Sequence, residues 1–99
     1  MLTSKQRAYL RSLAVNEDTI LILGKSGSSA EIVKQADDAL AARELIKGRV
    51  LETSPMSSRE AAEALAEATG ADVVQVIGSR FVLYRRKDKD PKIILPKAR

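Results

Sequence analysis

The stretch LGKSGSS, Leu23 to Ser29, sets a lysine and a serine between two glycines, just after an apolar run. Glycines let another backbone come close, and neighbouring backbone N–H groups with a lysine can hold phosphate oxygens. Three kinds of chemistry fit that text. A phosphate-binding NTPase loop, G-x-x-x-x-G-K-[ST], needs a glycine five residues before Gly24, where the sequence has Thr19. The intervening TILIL is strand text, so this reading fails. A G-x-x-G clamp would use Gly24, Lys25, Ser26 and Gly27, with Ser28 opening a helix whose first-turn amides and dipole favour an anion. KH domains hold nucleotide backbones with such a loop, although theirs joins two helices. The third reading is a plain strand-to-helix turn, which the spacing alone does not separate from the clamp.

Other reactive groups are scarce. The 99 residues contain no histidine and no cysteine, which removes the usual general base, the commonest metal ligand and all thiolate chemistry. Adjacent carboxylates, Asp37–Asp38 and Glu17–Asp18, read as solvated surface rather than a metal site. The expectation is a non-catalytic protein without metal or cofactor.

Charge points to a polyanion instead. The net charge is +4, and it is unevenly spread. Residues 1–14 carry Lys5, Arg7 and Arg11 and no acid, and residues 80–99 carry eight basic side chains against Asp88 and Asp90. The segments 16–42 and 57–72 are each net acidic. Such separation suits one face on a polyanion and another in water. Lys47 and Arg49 add a further basic pair. With Tyr9, Phe81 and Tyr84 the only aromatics, a base-stacking platform is not expected, and backbone contact is the better fit.

The elements that must position these groups belong to one small domain. Thr3 with Gln6 reads as a capping box for a helix to about Ala14, with Tyr9, Leu10, Leu13 and Ala14 on its apolar arc. TILIL, Thr19 to Leu23, reads as a buried strand. Ser28 with Glu31 reads as a second capping box. RELIKGRVLE, Arg43 to Glu52, has period two, with Leu45, Lys47, Arg49 and Leu51 on one face and Ile46, Gly48 and Val50 on the other. Ser57 with Glu60 caps a third helix that packs through Ala61, Ala62, Leu65 and Ala68 and stops at Gly70. Gly78-Ser79 suits a two-residue hairpin turn between 73–77 and 80–85. The order α-β-α-β-α-β-β predicts an α+β fold, a mixed four-stranded sheet covered by three helices. Residues 1–87 form the domain, and 88–99 are expected as a charged tail that could dock through 92–96 as an edge strand. No apolar run is long enough to span a bilayer, and the N-terminal text does not read as a secretory leader.

Taken together, LTSKQRAYLRSLA, GKSG, ALAARELIK, EALAEATGADVVQVIGSRFVLYR and the final ILP resemble the CRM domain family, and most closely its stand-alone bacterial YhbY-like members, over about residues 2–96. The resemblance implies an RNA-binding domain with a fold similar to the C-terminal domain of bacterial translation initiation factor three. It also implies an association with precursors of the large ribosomal subunit. The family's glycine-rich loop falls on Gly24, Lys25, Ser26 and Gly27, its basic helix-one positions on Lys5, Arg7 and Arg11, and its RELIK signature on Arg43 to Lys47. The departure is AVNEDT, Ala14 to Thr19, where family members often carry histidines and a proline; Glu17 and Asp18 there would repel phosphate.

The expected function is therefore RNA binding in large (50S) subunit assembly, by a cytoplasmic monomer that meets no membrane. The expected contacts are Gly24, Lys25, Ser26, Gly27 and Ser28, with Lys5, Arg7, Arg11, Arg43, Lys47 and Arg49. The alternatives are a protein-interaction module and a general nucleic-acid binder that takes DNA.

Overall fold

Each helix begins on a hydroxyl side chain that accepts an otherwise unpaired first-turn amide. In the computed structural model, which describes residues 2–97, α1 (Ser4–Ala14) opens with the expected reciprocal box. Thr3 Oγ1 accepts from the Gln6 amide and Gln6 Oε1 from the Thr3 amide, both at 3.1 Å. The box on α3 (Ser58–Thr69) pairs Ser57 with Glu60 in the same way, and these bonds hold the Glu60 carboxyl below its ordinary pKa. Gly70 ends α3 in the left-handed conformation, φ 73°. On α2 (Ala30–Arg43) the cap lies one residue later than expected. Ser29, not Ser28, accepts the Ile32 amide, and Glu31 closes no box. The cause is upstream: Gly24–Gly27 closes as a tight turn, with the Gly27 amide on the Gly24 carbonyl at 3.0 Å, and Ser28 is needed to leave it.

The strands are β1 (Thr19–Leu23), β2 (Leu45–Val50), β3 (Asp72–Ile77) and β4 (Arg80–Tyr84), ordered β1-β2-β4-β3. β1 and β2 are parallel, as a helical crossover requires, and the β2–β4 and β4–β3 pairs are antiparallel. Gly78 takes a positive φ of 57° and Ser79 does not, so glycine stands first in the hairpin turn. The mixed four-stranded sheet with three helices is the predicted fold.

The two sheet faces are treated differently. Helices α2 and α3 cover one face over a core that includes Leu21, Leu23, Leu40, Ile46, Leu65, Phe81 and Leu83. α1 lies on the other face over Leu45, Val74, Val82 and Tyr84. α3 buries Ala61, Ala62, Leu65, Ala66 and Thr69; Ala68, expected in the core, is exposed because it falls off the 62–65–66–69 stripe. Strand β1 is not buried on both faces: Leu21 and Leu23 are enclosed, but Ile22 is 54% exposed at the sheet edge. Arg43 and Glu44, expected in β2, instead end α2, with Glu44 as its C-cap.

Glu44 also governs the C-terminal segment. It is fully buried at a positive φ of 68°, and its carboxylate accepts the amides of Lys87, Lys92 and Ile93 at 3.4, 2.5 and 3.1 Å. Ile93 and Leu95 then pack against the second core, and Gln6 Nε2 donates to the Pro96 carbonyl at 3.0 Å. The segment docks without forming a strand.

Candidate nucleic-acid interface

Alternation along β2 sends Leu45, Lys47 and Arg49 to the face that carries α1. Leu45 is under the helix, Lys47 is half-buried and Arg49 is exposed, so the strand runs out from beneath α1 into solvent. One row of register partners crosses the whole sheet at that uncovered end: Ile22 beside Arg49, Arg49 opposite Arg80, and Arg80 opposite Ile77. All four are exposed, the isoleucines at 54% and 63%. Two arginines directly opposite on neighbouring strands repel each other, and neither forms an ion pair among the described residues. A bound polyanion would turn that unfavourable pair into a favourable one.

Arg11 extends the same surface. The last turn of α1 borders an open recess with Lys47, Gln75, Ile77 and Arg80. Arg11, Lys47, Arg49 and Arg80 thus share one face. Sequence reasoning misses Arg80: its local signal is its position just after the hairpin turn, but its neighbour Arg49 depends on β4 inserting between β2 and β3.

The glycine loop lies immediately beyond this row. The Leu51 amide donates to the Leu23 carbonyl at 2.8 Å, and Gly24 follows at once. Its two glycines differ. Gly27 is buried at φ 57°, and a Cβ would meet Met56 Sδ at 3.2 Å, so glycine is required by the turn itself. Gly24 has room for a Cβ, whose nearest neighbour would be Thr53 Oγ1 at 3.6 Å. What the loop offers to solvent is Lys25 and Ser26, with Ser28 half-buried before the α2 cap. Both α2 and α3 start at this end of the sheet; Ser58 Oγ, in the first turn of α3, donates to the Gly78 carbonyl at 2.6 Å.

The remaining expected contacts are not gathered here. Arg43 is exposed at the far end of α2, about 20 Å of helix from the loop. Lys5 is exposed and Arg7 half-buried nearer the start of α1. Among the basic C-terminal groups, Arg85 is committed to structure, donating to Asp37 Oδ1 at 2.6 Å and to the Thr69 carbonyl at 2.8 Å. No cluster of metal-ligating side chains occurs among the described residues, and no helix is long and apolar enough to cross a membrane.

The family model described as the CRS1 / YhbY (CRM) domain matches residues 2–85. The protein named "Probable RNA-binding protein YqeI" from Bacillus subtilis is 41% identical over 96 residues, which span 97% of this chain and all of that protein. A protein named "RNA-binding protein" from Haemophilus influenzae is 32% identical over 97% of this chain and 96% of its own length. The solution structure of a hypothetical protein from Staphylococcus aureus superposes with a TM-score of 0.81 at 50% identity, covering 97% of this chain and all of that one.

Proposed function

This chain belongs to the CRS1/YhbY (CRM) domain family, and from that premise we propose that it is a non-catalytic protein that grips structured RNA by its sugar-phosphate backbone. The observation that carries the reading is the Arg49–Arg80 pair, two exposed cations held side by side on a sheet with no carboxylate partner among the described residues. Arg11 and Lys47 widen the cationic surface, and Lys25 stands beyond its edge on the glycine loop. Cations fixed on a rigid sheet read the spacing of phosphates and not the identity of bases, which suits a folded RNA recognised by shape. Relatives named as RNA-binding proteins support the same partner.

The RNA we propose is that of the large ribosomal subunit during assembly, acted on in the cytoplasm by a monomer. The support is the likeness to family members that accompany large-subunit precursors. Sedimentation of a cell extract through a ribosome gradient tests it. Co-migration with large-subunit precursors at low salt is the expected result; recovery wholly among free proteins would reject it.

A further inference from the structure

We propose that the recess between the end of α1 and the sheet is a pocket for one unpaired nucleobase, so that the RNA recognised carries a bulged or looped-out nucleotide; this rests on the RNA-binding reading. The recess has a volume of about 190 Å³, the scale of a single small planar group and not of a folded ligand. Its floor is apolar, with Val82 beneath and the exposed Ile77 at one side. Arg11, Lys47 and Arg80 stand around it, and none of its lining residues is acidic. Glu17 and Asp18 follow α1 but lie outside the lining.

One polar group in this lining carries both a donor and an acceptor. Gln75 pairs with Val82 across the hairpin and so faces the same way. It does so because the register shifts between Val73 and Gln75: Val73 packs on the α2/α3 core, Val74 enters the core under α1, and Gln75 still points to the α1 side. Bulges are common on edge strands as well as beside binding sites, and this one, on the edge strand β3, turns Gln75 toward the recess. The amide offers a hydrogen-bond donor and an acceptor, which the Watson–Crick edge of a base can use and a phosphate cannot fully use. Guanidinium planes stack on bases as well as pairing with phosphates, so Arg80 or Arg11 can cover the face of a base whose flanking phosphates reach the other cations. A duplex alone offers the cations their phosphates but leaves the recess unfilled.

The test compares two RNAs at one salt concentration: a blunt duplex, and the same duplex with a single bulged nucleotide. Wild-type protein is expected to bind the bulged RNA about fivefold to tenfold more tightly, the range set by burying and stacking one base. In Gln75→Ala and in Ile77→Ala that ratio should fall toward one, with thermal melts confirming that each variant is folded. Equal binding of the two RNAs by wild type, or a ratio preserved in both variants, would overturn the base pocket while leaving RNA binding intact. Binding of neither RNA, even at low salt, would overturn the RNA-binding reading and the pocket with it.

Discussion

The ring of Phe81 occupies the space that a side chain on Gly48 would need. The two are register partners on β2 and β4, and Phe81 is fully buried over the glycine. Their immediate neighbours, Arg49 and Arg80, are opposite each other on the other face. A close backbone–ring contact on the core side therefore fixes which cations meet on the solvent side. Slipping the strands by one residue would put arginine into the core and lose the contact.

Gly48→Ala should accordingly destabilise the fold by about 1–3 kcal/mol, the usual cost of forcing a methyl into a filled core. Urea unfolding should show a lower midpoint with an unchanged slope. If the midpoint does not move, the ring has another place to go and does not fix the register.

Much of this fold was legible in the sequence because local signals agreed with one another. Thr3/Gln6 and Ser57/Glu60 mark helix starts through side chains that need only three residues of spacing, and Gly78-Ser79 marks its own turn. One boundary differs because a distant partner decides it. Nothing local says that Glu44 ends a helix at positive φ, because its reasons are the amides of Lys87, Lys92 and Ile93 far along the chain. The alanine text of α3 carries too little contrast to orient its face, hence Ala68. Of the site, Lys47 and Arg49 were recognisable by alternation, but Arg80 joins them only through the strand order β2-β4.

Glu44 gives a test of the C-terminal docking. Glu44→Ala removes an acceptor shared by three backbone amides and should cost at least about 2 kcal/mol. Glu44→Gly loses the same bonds but relieves a positive-φ backbone (φ 68°, ψ −43°) that a side chain disfavours, so it should be the milder change by about 1 kcal/mol. In both variants hydrogen exchange at Lys92 and Ile93 should accelerate. Protection retained at these amides would show that Ile93 and Leu95 hold the segment alone.

Tyr84 gives the pH dependence. Burial first, then the negative charge of Glu44, raises its phenol above the ordinary value of 10.0. In the unfolded chain it ionises near pH 10. The folded state thus binds the proton more tightly, and the associated stability is complete below about pH 10 and is lost as pH rises toward the folded value. Tyr84→Phe should flatten that alkaline decline. The hydroxyl has no hydrogen-bond partner among the described residues, so the same variant should be as stable as wild type at neutral pH, or more stable by up to about 1 kcal/mol. A clear loss at neutral pH would mean that the hydroxyl is bonded in solution.

Lys25 is exposed at the loop tip and makes no ion pair among the described residues. Lys25→Glu should leave the melting temperature nearly unchanged and weaken binding to structured ribosomal RNA about tenfold or more, since the proposed phosphate contact would become a repulsion. Wild-type affinity in the folded variant would remove the loop from the interface.

The most direct measurement is the salt dependence of binding to structured large-subunit RNA by wild type and by Arg49→Ala/Arg80→Ala. With about four to six phosphates engaged, the wild-type plot of log affinity against log salt should have a slope of about −3 to −5, at 0.7–0.9 per contact. The double variant should lose about 1.4–1.8 of that slope while its RNA-free form is as stable as wild type or slightly more so, because two like charges have been parted. A slope that the double substitution leaves unchanged would contradict the assignment of this sheet face to RNA.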